Sequence, residues 1–123
     1  MANASDPDAA GRAAAVAQVR REFADGLAAR LEAMRAALDQ LARGYDQEVA
    51  ESLYRRAHSL KGTAASFGAD DLAAHAAPLA DLGAGWTHAR AVTPDAVASA
   101  SELLERLGAA AAQYRSAHPS EDT

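Results

Sequence analysis

The chain contains no cysteine. Disulfide staples, thiolate nucleophiles and zinc–thiolate sites are therefore excluded. Aromatic residues are few, and strand-favouring runs of Val, Ile, Thr and aromatics are missing, which argues against a sheet. No stretch of about 18 apolar residues occurs, so no membrane span is expected. The opening Met-Ala-Asn-Ala-Ser-Asp has no basic region leading into an apolar one, so no secretory leader is expected either. Basic residues form no stripe, and the net charge of −5 disfavours nucleic-acid binding. No glycine-rich phosphate loop precedes a helix, which speaks against ATP binding. The expectation is one cytoplasmic domain that engages neither nucleic acid nor membrane.

What is present is alanine, the best helix former. An all-α chain follows. Ser5-Asp6-Pro7-Asp8 has the residues of a helix start. A first, alanine-rich helix begins there, either separate or running on into the next. Val16, Val19, Phe23, Leu27, Leu31, Met34, Leu38 and Leu41 recur at spacings of three and four, an amphipathic stripe. Gly44 is placed to end that helix. Asp46 can cap the next one, whose stripe is Val49, Leu53, Ala57, Leu60, Ala64 and Phe67, with Gly68 closing it. Asp70 is expected to cap a third helix, with Leu72, Ala76, Leu79 and Leu82 inward. Pro78 lies inside it, so a kink or an early end near Ala77 is expected. Residues 83–93 read as a loop containing Gly83, Gly85 and Trp86. Thr93-Pro94-Asp95 starts a last helix, with Val97, Ala100, Leu104, Leu107, Ala111 and Tyr114 inward. The expected architecture is an antiparallel up-down four-helix bundle with a short additional N-terminal helix. Residues 1–14 are the N-terminal segment, 15–117 the bundle and 118–123 a polar tail.

One short segment stands out. Residues 57 to 69 read Ala-His-Ser-Leu-Lys-Gly-Thr-Ala-Ala-Ser-Phe-Gly-Ala. In a helix, His58, Lys61 and Gly62 share one face. At about 100° per residue, His58 points roughly 130° away from the stripe of Leu53 and Leu60. The periodicity that makes Leu60 core therefore makes His58 exposed. Glu51, Tyr54, Arg55 and Ala65 share that outer face. Glycine inside a helix costs about 1 kcal/mol relative to alanine, and bare backbone there suits the close approach of another body. Position alone does not make an exposed histidine functional; most are solvated surface residues.

Ala57-His58-Ser59-Leu60-Lys61-Gly62, with Gly68 six residues on, resembles the signature of histidine-containing phosphotransfer (HPt) domains. The bundle pattern from about Phe23 to Tyr114 agrees with such domains in length and order. The resemblance implies a phosphorelay intermediate. His58 would accept a phosphoryl group, in the family through Nε2, from a receiver-domain aspartyl phosphate and pass it to another receiver. Lys61 would give electrostatic support, and Gly62, Ala65, Tyr54 and Arg55 would form the partner surface. Leu60, Ala64 and Phe67 would hold the helix rigid from beneath. The partners implied are response-regulator receiver domains, with a hybrid histidine kinase as one source of them. No cofactor is expected, and Mg²⁺ would come with the receiver. The chain would be a monomer without ATP-dependent kinase activity. A dimerising kinase domain also carries histidine on a helix, but the resemblance would then call for Glu-Leu-Arg-Thr-Pro after it. The alternative function is a non-catalytic four-helix adaptor for response-regulator or kinase partners.

Other residues read as structural. His75, His88 and His118 lie in different segments, without face-sharing metal-ligand spacing. Trp86 is expected to cover a bundle end from its loop. Arg12, Arg20, Arg21, Arg30 and Arg35 are interspersed with acids, which speaks against a phosphate-binding patch.

Overall fold

A computed structural model describes residues 7–119. The capping pair Ser5 and Asp6 and the tail residues 120–123 lie outside the described residues. Among the described residues the chain is all-helical, with four helices and no strand: α1 (Pro7–Arg43), α2 (Gln47–Ser66), α3 (Asp70–Ala89) and α4 (Pro94–Ala117). Each helix packs against its chain neighbours, and α1 also packs against α4. The contact of α2 with α3 is the most extensive of these.

The helix ends follow local chemistry. Gly44 donates its N–H to the Gln40 carbonyl as α1 ends. The Asp46 carboxylate accepts from the Glu48 and Val49 N–H groups at 2.9 and 3.2 Å, the N-cap pattern. At the other end of α2, Gly68 adopts φ +72. Its N–H reaches the Ala65 carbonyl at 3.1 Å, and the Ala69 N–H reaches that of Ala64 at 2.8 Å. This double closure is a Schellman motif, and it needs the left-handed glycine. Thr93 caps α4 by accepting from Ala96 N–H at 3.1 Å, with Pro94 in the first turn.

Several expectations are corrected. Residues 8–14 form no separate short helix; they are the first turns of a continuous α1. Val16 and Val19 are not core but exposed, at 48% and 45%. The reason is length. α1 has 37 residues against 20, 20 and 24 in α2, α3 and α4, so at 1.5 Å per residue it runs about 56 Å. Its N-terminal part overhangs the core, which begins at Phe23. Asp70 is not the cap of α3. Ala69 holds that position without a side-chain bond, and Asp70 opens the first turn, where a carboxylate still suits the helix dipole.

α3 neither ends near Ala77 nor gives way to a loop at Gly83; it continues through Pro78 to Ala89. Proline removes one bond to Ala74, but burial of Ala76, Leu79 and Ala80 holds the turns on either side. The helix ends instead at Arg90, a non-glycine residue at φ 55. His118 is the C-cap of α4 rather than the start of a loose tail; its ring stacks on Tyr114 at 4.2 Å.

The core is a single apolar cluster. Its largest fully buried side chains are Leu27, Met34, Leu38, Leu53, Leu60, Leu72, Leu79 and Leu107. Each such leucine stabilises the fold by about 1.5–3 kcal/mol relative to exposure. No polar or charged residue is classed as buried among the described residues. One atom departs from this pattern: the Tyr114 Oη is buried without a hydrogen-bond partner among them. Burial raises the Tyr114 pKa above its ordinary 10.0, while the Arg20 guanidinium pulls it down.

The folded state thus prefers the neutral phenol. Tyr114 contributes fully to stability below the unfolded pKa, and that contribution is lost as pH rises through the folded one. Tyr114→Phe removes an unpaired hydroxyl whose burial costs about 1 kcal/mol or more. It is expected to hold or raise the melting temperature and to remove this alkaline loss. Thermal melts of both proteins at about pH 8 and about pH 11 check it, bracketing the free tyrosine value.

Candidate functional site

The Asp46 cap sets where α2 begins, and burial sets its phase. Ala50, Leu53, Ala57, Leu60 and Ala64 are all at 0% exposure. That phase turns Arg55, His58, Lys61, Gly62 and Ala65 to solvent, with Glu51 and Tyr54 half-buried beside them. The residues expected to form one patch are therefore brought together on one face of one helix.

The His58 imidazole has a neighbour. Its ring stacks on that of Tyr54, centroids 5.6 Å apart and planes 23° apart. A stacked ring covers a face of the imidazole and leaves its in-plane lone pairs clear of that contact. The other histidines differ. His75 and His118 each bring Nδ1 to the carbonyl four residues back, at 2.8 and 3.1 Å. His58 makes no such bond among the described residues. Lys61 is exposed and has no ion-pair partner among them.

Two glycines frame the site differently. A Cβ on Gly62 would meet nothing within 4 Å, and φ there is not positive. The fold has no internal use for Gly62. Gly11, Gly26, Gly85 and Gly108 are as open; Gly62 differs in lying one turn from His58. Gly83 is the opposite case. A Cβ there would meet Tyr54 Cα at 3.0 Å, its Cβ at 3.1 Å and its N at 3.2 Å. Bare backbone lets α3 lie directly against α2 at the residue that stacks on His58.

A polar latch ties the start of α2 to the last turn of α3. Tyr45 Oη donates to the Trp86 carbonyl at 3.1 Å and also contacts Gln47 Oε1. Gln47 Nε2 donates to the Thr87 carbonyl at 3.2 Å. The Gln47 bond serves a carbonyl near the helix end, where intrahelical partners run out, whereas the Trp86 carbonyl also accepts from the Arg90 and Ala91 N–H groups. Trp86, expected in a loop, is a buried helical residue beneath this latch.

His88 is exposed in the last turn of α3, apart from His58. No group of three or more His, Asp or Glu residues able to hold a metal occurs among the described residues. No helix is long and apolar enough to cross a membrane there.

A family model described as Hpt domain matches residues 18–114. The chain belongs to the Hpt domain family. Hpt domains are phosphotransfer modules of two-component phosphorelays, working by histidine phosphotransfer with partners such as receiver domains. The match spans the core of all four helices and excludes the first turns of the α1 overhang. No curated protein and no solved structure matches the chain.

Two features around the Hpt helix had no clear signal in the sequence. Gly83 sits in a Gly-Ala-Gly run that reads as a loop, and only the meeting of two helices reveals its purpose. Arg30 is distant in sequence but lines a cleft with Arg55, Arg56 and Ser59. Adjacent Arg55-Arg56 was the one local hint.

Gly83→Ala tests the helix contact. On propensity alone alanine would add about 1 kcal/mol of stability. Here overpacking against the Tyr54 backbone costs about 1–3 kcal/mol. Net destabilisation is expected, with a shift of the His58 ring resonances as Tyr54 is displaced. Denaturant unfolding and NMR check both. A gain in stability would show that the two helices are not in tight contact.

Proposed function

We propose that His58 is the phosphoryl acceptor of this Hpt domain. It takes the group from a receiver-domain aspartyl phosphate and passes it to another receiver. The observation that carries the reading is an exposed imidazole on a helix whose opposite face is fully buried, with open space over Gly62 one turn away. Family membership supplies the reaction class.

The chemistry fits these residues. A neutral imidazole carries one ring nitrogen with a free lone pair, which can act as a nucleophile. A ring nitrogen, Nε2 in this reading, attacks phosphorus. The N–P bond forms as the P–O bond to the aspartate breaks, and the carboxylate leaves. The excess ring proton passes to solvent. The return step reverses this toward a second aspartate. Phosphoryl transfer requires in-line placement and charge neutralisation more than covalent chemistry from the surrounding protein. Burial of Leu60 and Ala64 supplies rigidity. The Tyr54 ring restricts the imidazole on one side. Gly62 and Ala65 leave clearance for the receiver's active-site loops.

Lys61 sits one turn from His58 and offsets phosphoryl charge. An exposed pair of this kind is worth a few tenths of a kcal/mol, so Lys61 tunes the phosphohistidine rather than creating it. The domain needs no cofactor of its own; Mg²⁺ is held by the receiver's carboxylates. It works as a cytoplasmic monomer without ATP-dependent kinase activity. The arrangement is read as an up-down bundle, supported by packing of each helix on its chain neighbours and of α1 on α4. Residues 15–117 form the phosphotransfer unit.

Mixing with a phosphorylated receiver is expected to give an acid-labile, alkali-stable label. His58→Gln should abolish it while leaving the helical circular dichroism and the melting temperature unchanged. A label retained in that variant would sink the assignment. Gly62→Gln should block transfer by bulk while the fold stands, since a side chain there meets nothing internal. Unchanged transfer rates would mean that close approach is unnecessary. Incubation with ATP alone should leave the chain unlabelled.

A further inference from the structure

Arg30 of α1 and Arg55, Arg56 and Ser59 of α2 line a cleft of about 230 Å³. Ser59 is the residue after His58, and Arg55 lies three residues before it on the same face. At about 100° per residue, Ser59 and Arg56 turn roughly 100° and 160° away from His58, so the cleft lies on the α1 flank of α2, with Arg55 nearest in phase to the imidazole. No carboxylate lines it, although the chain as a whole carries −5.

Each guanidinium is oriented but still has donors to spare. Arg30 Cζ lies 5.7 Å from the Phe23 ring centroid, an arrangement that leaves the in-plane N–H groups available. Arg56 uses Nε on the Ser52 hydroxyl at 3.3 Å, and its terminal nitrogens have no acceptor among the described residues. Arg55 approaches Glu51 at 3.9 Å, an exposed pair that exchanges easily. Three like charges gather here, and the Glu51 carboxylate reaches Arg55 at 3.9 Å, which leaves the repulsion of Arg30 and Arg56 without an ion pair among the described residues. An external oxyanion would relieve that repulsion and accept bidentate bonds.

We propose that this cleft is the docking subsite for a carboxylate side chain of the receiver, on the α1 flank of the helix that carries His58. The inference rests on the phosphorelay reading. Its occupant follows from that chemistry. A receiver face carrying an aspartyl phosphate and the carboxylates that hold Mg²⁺ is anionic around its reaction centre. An arginine cleft on the flank of the same helix meets such a face with opposite charge. Rim charges of this kind act on encounter rate and on partner choice.

The test uses whichever receiver labels the wild-type chain fastest, with Arg30→Glu and Arg56→Glu made singly. Labelling of His58 by phosphoramidate, too small to span the cleft, is the reference. Relative to it, receiver-driven kcat/KM should fall about tenfold in each variant at low salt, and the gap should narrow as salt screens it. Receiver-driven rates equal to wild type at low salt in both variants would overturn the proposal. Arg30→Glu also loses the contact with Phe23; if it fails to fold, exposed Arg56→Glu and the milder Arg30→Gln carry the test. Inorganic phosphate is the competing occupant. Saturation of the arginine Nε–Hε signals by sub-millimolar phosphate, with transfer inhibited in step, would reassign the cleft to a free oxyanion. If no receiver labels the wild-type chain, the phosphorelay reading itself fails. Labelling that is present but indifferent to both charge reversals removes the cleft alone.

Discussion

The placement of the candidate site depends on how closely α3 lies against α2. At Gly83 there is no side chain, and the missing Cβ is the space that the Tyr54 backbone occupies. Every other consequence on the His58 face passes through that contact. Tyr54 is held at the junction, half-buried, with its ring stacked on the imidazole. Leu53, Ala57 and Leu60 are fully buried, so α2 cannot rotate without exposing leucine at about 1.5–3 kcal/mol each. The latch from Tyr45 and Gln47 to the Trp86 and Thr87 carbonyls fixes the two helices along their length as well. The absence of a side chain at position 83 thus fixes where the ring four residues past Tyr54 points.

The two informative glycines serve opposite ends. Gly83 satisfies the fold and would be kept in a protein with no partner. Gly62 satisfies nothing inside the molecule, since neither a positive φ nor a near neighbour requires it. A helix that carries it forgoes about 1 kcal/mol for no internal gain. Other open glycines in the chain show that such a loss is tolerated elsewhere. What gives Gly62 meaning is its distance of one turn from an exposed imidazole in a domain whose family works by histidine phosphotransfer.

Much of this was legible from residue order alone, and the misses have physical causes. The face of α2 was readable because burial and exposure alternate with the helical period, so the position of Leu60 determines that of His58. Asp46, Gly68 and Thr93 were readable as boundaries because each acts on backbone within three or four residues. The end of α3 was not. Gly83 and Gly85 look like loop residues when only neighbours in sequence are considered, and the true end uses Arg90 in the left-handed region, where glycine is the usual signal. Val16 and Val19 continue the stripe, yet the end of α4, which lines an open cleft with Val16 at Ala117, leaves both exposed. Periodicity reports which face is apolar; it does not report whether a partner helix is long enough to meet it. The same limit hid the arginine cleft, since Arg30 joins Arg55 and Arg56 only when α1 and α2 are side by side.

The surroundings of His58 are therefore asymmetric in kind. Toward α3 the neighbours are an aromatic ring and tightly apposed backbone, which tolerate little movement. Toward α1 lie guanidinium groups, with Arg55 and Arg56 exposed and Arg30 half-buried over the Phe23 ring. A rigid flank sets the direction of the imidazole, which in-line transfer demands. On the proposed docking, the cationic flank sets how strongly an anionic partner is drawn in, and its strength depends on salt. Geometry and recognition are thus divided between two sides of one helix. On the proposed function, substitutions on the α1 flank alter which receiver docks without moving His58, whereas substitutions at the α3 contact move His58 for every receiver alike.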